Sequence, residues 1–219
     1  MAHPKSASAH HDIHELIRQR WSPRAFDAAR AVPRDELLRL FEAARWAPSS
    51  ANEQPWRFIV VTRDESSEAW RTLVSALSRS NQTWAVLAPV LVLTAVRLTL
   101  ERNETVNPLA WYDTGQAVAL LTVQATAQGL SIRQMEGFDR EIARAACGVP
   151  AGFEPVVVFA VGYAGAPEAL TVERHREAER QPRQRKSIAD FVFENRWGQP
   201  ATPGDSTTPG DRTTPSTLR

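Results

Sequence analysis

Residues 111–129, WYDTGQAVALLTVQATAQG, restrict what this chain can fold into more than any other stretch. Ala, Leu and Gln dominate the segment and favour helix, and Gly129 supplies a C-cap. Apolar side chains at Ala117, Val118, Leu120, Leu121, Val123 and Ala125 run nearly all round that helix. A helix apolar on all sides must be buried on all sides. The 219 residues suffice for one domain whose single core buries roughly 70% of the unfolded surface. In a domain of this size, burial on every side is easiest when one face of the helix packs against a second subunit.

Hydrophobic residues at 42% and charged residues at 23% are ordinary for a soluble globular protein and argue against both disorder and membrane insertion. A formal charge of +1 gives no overall reason to expect a nucleic-acid partner. The lone Cys147 excludes an intrachain disulfide, and residues 1–11 lack the apolar core of a signal peptide, so the expected location is cytoplasmic. Apart from Lys5 and Lys186 every basic residue is arginine, a bias that a GC-rich coding sequence explains. Arginines therefore carry meaning by position only.

Residues 1–10 read as a disordered leader, and no carboxylate or cysteine cluster turns His10, His11 and His14 into a metal site. Asp12 is placed to cap a helix running to Arg20, with Ile13, Leu16 and Ile17 on its apolar face. A second helix follows Pro33, carries Leu37, Leu38, Phe41 and Ala44 at helical spacing, and is stopped by Pro48. Buried strands are expected at 57–62, 90–95 and 155–163, and an amphipathic helix at 65–78. Trp84 reads as a core anchor. Residues 98–108 show little apolar periodicity and read as a mobile excursion over a site. Asp139 caps a helix ending near Cys147 and Gly148, whose thiol has no neighbour to activate it. Residues 168–180 read as a charged, exposed segment, and 199–219 as a disordered low-complexity tail.

Three polar patches punctuate this framework. Arg20-Trp21-Ser22-Pro23-Arg24 offers two guanidinium groups and a hydroxyl within five residues, a set that suits a terminal phosphate monoester. In ARWAPSSANEQPWRF, residues 44–58, Pro48, Ser49, Ser50, Asn52 and Gln54 break regular structure and offer donors to a planar polar ligand. The third patch is basic, with Arg183, Arg185 and Lys186 following Pro182. No GxGxxG follows a strand, and there is no P-loop, CxxC, HExxH or GxSxG. A phosphate clamp and a polar platform suit an enzyme whose reactive group is imported.

R-x-S-x-R, then APSSxNxQPW, then R-x-R-K near the end together resemble the FMN-dependent nitroreductase family over residues 13–198. The resemblance implies an α+β fold, a mainly antiparallel sheet flanked by helices, in an intertwined homodimer built around the 111–129 helix. It places the FMN-binding domain at 11–198. It also implies FMN contacts at Arg20, Trp21, Ser22, Arg24, Pro48, Ser49, Ser50, Asn52, Gln54, Arg183 and Arg185. QMEGFD, residues 134–139, resembles the family's turn against the flavin edge, which adds Glu136 and Gly137. NAD(P)H is the implied donor in a ping-pong cycle, and a nitroaromatic, quinone, enone or free flavin the acceptor. Trp21 stands where a second basic residue is often found. An FMN carrier or sensor without turnover would keep the same phosphate contacts and remains the rival reading.

Overall fold

The computed structural model describes residues 5–63 and 67–201, in two compact units, Met1–Arg183 and Gln184–Arg219. The sheet of the first unit takes three apolar, β-branched runs, β1 (Trp56–Thr62), β2 (Val90–Arg97) and β4 (Phe153–Gly162), and a more polar strand, β3 (Ser131–Met135). They pair antiparallel throughout in the order β1-β2-β4-β3. Because side chains alternate across a strand, the two central strands feed two cores. Leu91, Leu93, Val158 and Ala160 join Trp70, Leu73 and Trp84 on one face. Val90, Val92, Phe159 and Val161 meet Leu40, Leu121 and Ala125 on the other. Helices α3 (Ser67–Ala76), α4 (Arg79–Ala85) and α6 (Arg140–Cys147) cover the first face, and α2 (Arg34–Arg45) and α5 (Ala110–Ala127) the second. Pro155 lies inside a central strand, where it cannot donate to the ladder, and the register shifts opposite it between Thr94 and Ala95.

Helix α5 closes with a Schellman motif: Gly129 takes φ +73, its N–H donates to Thr126 O, and Leu130 N–H donates to Ala125 O at 2.8 Å. Ala117, Val118, Leu121 and Ala125 are buried, but Trp111, Tyr112 and Leu120 are 47%, 68% and 39% exposed in the single chain. An added Cβ on Gly115 would meet nothing within 4 Å, so that face is open.

Several local expectations are corrected. Helix α1 (Glu15–Gln19) is capped by His14, whose Nδ1 accepts from Leu16 N–H at 3.2 Å, because Asp12 is too early to reach the free amides of the first turn. Asp12 instead faces Arg18 at 3.7 Å. Within the expected leader, Lys5 is buried and Ala7 N–H donates to Arg18 O. Residues 1–4, the 65 and 66 start of the third expected helix, and the tail from 202 lie outside the described residues. Residues 98–108, as expected, form no helix or strand, and contain a Thr99–Val106 bridge beside an Arg97–Glu104 pair. Residues 168–180 are not exposed throughout: they form α7 (Glu173–Arg180), with His175 and Glu179 buried.

The second unit begins at Gln184 and contains a 3-10 turn, Ile188–Asp190, held by a Ser187 capping box, and a Phe193–Pro200 bridge. Phe193 and Trp197 pack ring to ring at 4.9 Å.

Candidate functional site

The 20–24 loop starts where Arg20 leaves helical geometry and its N–H caps Leu16 O. It then passes to residues 25–27, which lie along 163–165: Phe26 bridges Ala164, and Gly165 N–H donates to Ala25 O at 2.9 Å. Glycine is required at 165, since a Cβ there would stand 2.7 Å from the Phe26 carbonyl. Within the loop, Arg20 Nη1 donates to Ser22 Oγ at 3.1 Å. Arg133, on β3, donates Nη1 to Ser22 O at 2.5 Å, and Glu179 accepts from Arg24 N–H at 3.0 Å. Arg183 directs its Nη1 at backbone carbonyls of Lys5, Arg18 and Arg20, at 3.0, 3.3 and 2.6 Å. It therefore ties the loop from behind. The Trp21 ring takes the Lys5 ammonium at 5.4 Å. The structure thus gathers Arg20, Trp21, Ser22, Arg24 and Arg183 at one place. Arg185 belongs to the second unit, where it is exposed and donates to Gln184 O.

Electrostatically the loop is cationic and partly desolvated. Burial, with Arg24 beside it, pulls the Arg133 guanidinium down to about 10, against the opposing pull of Glu179. Burial also lowers Lys5 and Arg24, again with Glu179 acting the other way.

The 49–54 turn has its own support. Ala51, Asn52 and Gln54 all take positive φ, at 50°, 57° and 46°. Non-glycine residues persist in that region only where neighbours over-determine them, at a cost of roughly 1–3 kcal/mol each. Here Asp113, buried in the first turn of α5, accepts Ser50 N–H at 3.0 Å, and Ser49 Oγ accepts Gln54 N–H at 3.0 Å. Glu53 accepts Glu101 N–H at 2.7 Å, which fastens the 98–107 turn to the same place. Pro48, Ser50 and Asn52 are exposed.

The Glu136 and Gly137 turn lies against the start of α4. Gly137 O accepts Ser78 N–H at 2.8 Å and Asn81 Nδ2 at 3.1 Å. It follows β3 directly, so Arg133 links this turn's strand to the 20–24 loop. The 49–54 turn sits elsewhere, at the Asp113 end of α5. A cavity of about 150 Å³ lined by Arg20, Trp21, Thr126 and Gly129 marks the opposite end. At 1.5 Å rise per residue the two ends are roughly 20 Å apart.

The sequence profile of the Nitroreductase family matches residues 17–163, which carry these elements. The chain belongs to the nitroreductase family. A solved structure of an oxidoreductase containing FMN is 31% identical, with a TM-score of 0.82 over 91% of this chain and 100% of its own. An uncharacterized 15.4 kDa protein of Mycolicibacterium smegmatis is 39% identical over 102 residues, 45% of this chain and 65% of the relative. An oxygen-insensitive NAD(P)H nitroreductase of Salmonella typhimurium is 37% identical over 54 residues, 25% of each chain. The chain spans less than two thirds of the length of these curated relatives.

In this chain, four residues that support the polar patches escape sequence reasoning: Arg133, Asp113, Asn81 and Glu179. Three are long-range partners with no local signature. Asn81 had one, since Ser78 and Asn81 stand at N-cap and N3 of a short helix, and Ser78 Oγ accepts Asn81 N–H at 3.4 Å. The half-buried Cys147 thiol is raised by burial, which keeps it protonated and unreactive.

Proposed function

We propose that this chain is an FMN-dependent NAD(P)H oxidoreductase that works as a homodimer on small oxidised acceptors in the cytoplasm. One observation carries the reading: the 20–24 loop presents two guanidinium groups and a hydroxyl, locked by Arg133 to the strand that ends in the Glu136 and Gly137 turn. That donor set fits a phosphate monoester, with Arg20, Ser22 and Arg24 as its contacts. The cavity beside Arg20, about 150 Å³, is lined by Arg20 but not by Ser22 or Arg24, and is smaller than the roughly 300–1,000 Å³ of a cofactor pocket. When bound, FMN supplies two-electron transfer from NAD(P)H to a nitroaromatic, quinone, enone or flavin in two half-reactions.

The chain's own residues bind and orient. Ser49, Ser50, Asn52 and Gln54 offer amide and hydroxyl groups to the ring edge, and the Glu136 and Gly137 backbone offers a flat, rigid turn. Main-chain donors fixed in advance stabilise negative charge that develops during reduction. Because the 20–24 loop and the 49–54 turn stand at opposite ends of α5, one chain does not close both round a ligand. A two-fold partner packed on Trp111, Tyr112 and Leu120 with its α5 reversed brings its 49–54 turn to the first chain's loop. The relatives' names support NAD(P)H as donor, and the FMN of the structural neighbour supports the cofactor.

The test is direct. Purified protein should be yellow, release FMN and not FAD on heating, bleach with NAD(P)H and recolour with menadione. Protein that stays colourless after reconstitution with FMN overturns the proposal, and bleaching without reoxidation by any acceptor reduces it to a carrier.

A further inference from the structure

Helix α7 turns two ionisable side chains, His175 and Glu179, inward one turn apart, each 5% exposed. Glu179 Oε1 accepts Arg24 N–H at 3.0 Å and lies 4.0 Å from Arg24 Nη1. Its other oxygen, Oε2, is buried without a hydrogen-bond partner among the described residues. Three cations act on this carboxylate, Arg24 in the 20–24 loop with Lys5 and Arg133 from outside it, and it holds each of them toward the protonated state. Arg133 is further sandwiched, its guanidinium 5.3 Å from the Trp84 ring and its Nη1 on Ser22 O. His175 adds no charge here, because burial and the nearby Arg24, Arg174 and Arg133 hold it below its ordinary value. Lys5 Nζ in turn donates to Ala178 O at 3.2 Å, at the end of α7.

Like charges gathered in a partly buried loop repel, and a buried carboxylate offsets that repulsion. A phosphoryl ligand arriving from solvent offers the same compensation. We propose that Glu179 is the built-in counter-ion of the 20–24 loop, a positioning residue that fixes Arg24 and sets how tightly the loop takes a phosphate monoester or inorganic phosphate. The inference rests on the phosphate role proposed above for that loop. Carboxylate and ligand act on one shared cation, Arg24. Removing the carboxylate's charge strengthens the loop's attraction for phosphate and weakens the loop when phosphate is absent.

Glu179→Gln keeps an acceptor for Arg24 N–H and removes only the charge. Full-length wild type and variant are titrated with inorganic phosphate, FMN and riboflavin, read by thermal unfolding and flavin fluorescence. Without phosphate the variant should melt lower, and phosphate should raise its melting temperature by more than it raises that of wild type. It should bind FMN roughly three- to tenfold tighter, a gain that fades as salt screens the added positive charge. Riboflavin, which has no phosphate, should bind both proteins alike. A role confined to the hydrogen bond would leave affinity and salt dependence unmoved, and that result, or weaker phosphate binding, overturns the assignment. Should E179Q fail to fold, E179Q combined with Lys5→Gln restores the net charge while Arg133 stays on Ser22 O. The double variant should then fold and bind phosphate as wild type does, and one that stays unfolded also overturns the assignment. Wild type that binds phosphate but not FMN defeats the flavin reading alone. Wild type that binds FMN while E179Q changes nothing defeats the counter-ion alone.

Discussion

Arg133 Nη1 reaches the carbonyl oxygen of Ser22 at 2.5 Å, so a strand residue inside the fold holds the middle of the 20–24 loop by its main chain. The contact uses only the Ser22 main chain, and Ser22 Oγ accepts from Arg20 Nη1 at 3.1 Å. Loop geometry is thereby set by the sheet.

Arg133→Met should keep much of the packing on Trp84 and lose the charged hydrogen bond. Such bonds contribute about 1.5–3 kcal/mol, and urea unfolding should show a loss of that size. FMN affinity should fall as well, since Ser22 loses its anchor. Stability equal to wild type would mean that the loop does not depend on β3.

Arg20→Ala should weaken FMN binding by roughly 1.5–3 kcal/mol, the scale of one charge-assisted hydrogen bond, while riboflavin binding stays unchanged. Ser22→Ala should cost about 0.5–1.5 kcal/mol of FMN affinity, as expected for a neutral donor. Fluorescence titrations of both flavins check the pair, and equal losses for FMN and riboflavin would move Arg20 away from the phosphate.

Much of this architecture is legible in the chain because its signals are local. Asp139 caps α6 as its position indicates, with Oδ1 accepting from Glu141 and Ile142 N–H. The β-branched runs become β2 and β4, and Trp84 is buried at 1% exposure. What escaped is non-local or against composition. Helix α7 looks solvated because ERHREAER has almost no apolar residue, yet His175 and Glu179 face inward, where Arg24 compensates the Glu179 carboxylate. Lys5 sits in a polar leader and is still buried, because Ala178 and Gln181 carbonyls, far along the chain, receive its ammonium. Arg183 matches the basic motif, but the carbonyls of Lys5, Arg18 and Arg20 claim its Nη1. No window of sequence contains either partner set.

Asp113→Ala removes the acceptor for Ser50 N–H in a turn with three positive-φ residues. Losing a buried charged acceptor costs about 1.5–3 kcal/mol, and the 49–54 turn should become the most protease-sensitive loop of the described chain. Asp113→Asn, which retains a carbonyl oxygen, should recover part of the loss. Limited proteolysis with mass mapping reads the outcome, and an uncut turn in Asp113→Ala would show that the turn is held by Ser49 and Gln54 alone.

His175 gives stability a defined pH dependence. Burial first, then Arg24, Arg174 and Arg133, lower its folded pKa below the ordinary 6.5. Between those values the unfolded chain binds a proton that the folded chain does not, so stability rises with pH. The contribution is complete above about 6.5 and is lost as pH falls through the folded value, with a slope of at most about 1.4 kcal/mol per pH unit. His175→Leu should flatten this part of the profile in urea midpoints measured from pH 7.5 to 5. An unchanged slope would assign the acid sensitivity to other groups.

The exposed stripe of α5 makes the assembly itself testable. Trp111, Tyr112 and Leu120 leave apolar surface open on a helix whose other faces are buried. Gly115 and Ala119 lie between them, so nothing bulky keeps a second copy away. Light scattering should find a dimer, and Leu120→Glu should convert it to a monomer, because a charge without a partner is costly in a buried contact. FMN affinity should fall with the dimer, since the donors of the 49–54 turn and those of the 20–24 loop lie at opposite ends of α5, roughly 20 Å apart. Holding protein concentration above and then below the dimer's dissociation point separates assembly from local damage: the variant's deficit should shrink as concentration forces pairing. A monomer with undiminished FMN affinity would mean that one chain closes the site by itself.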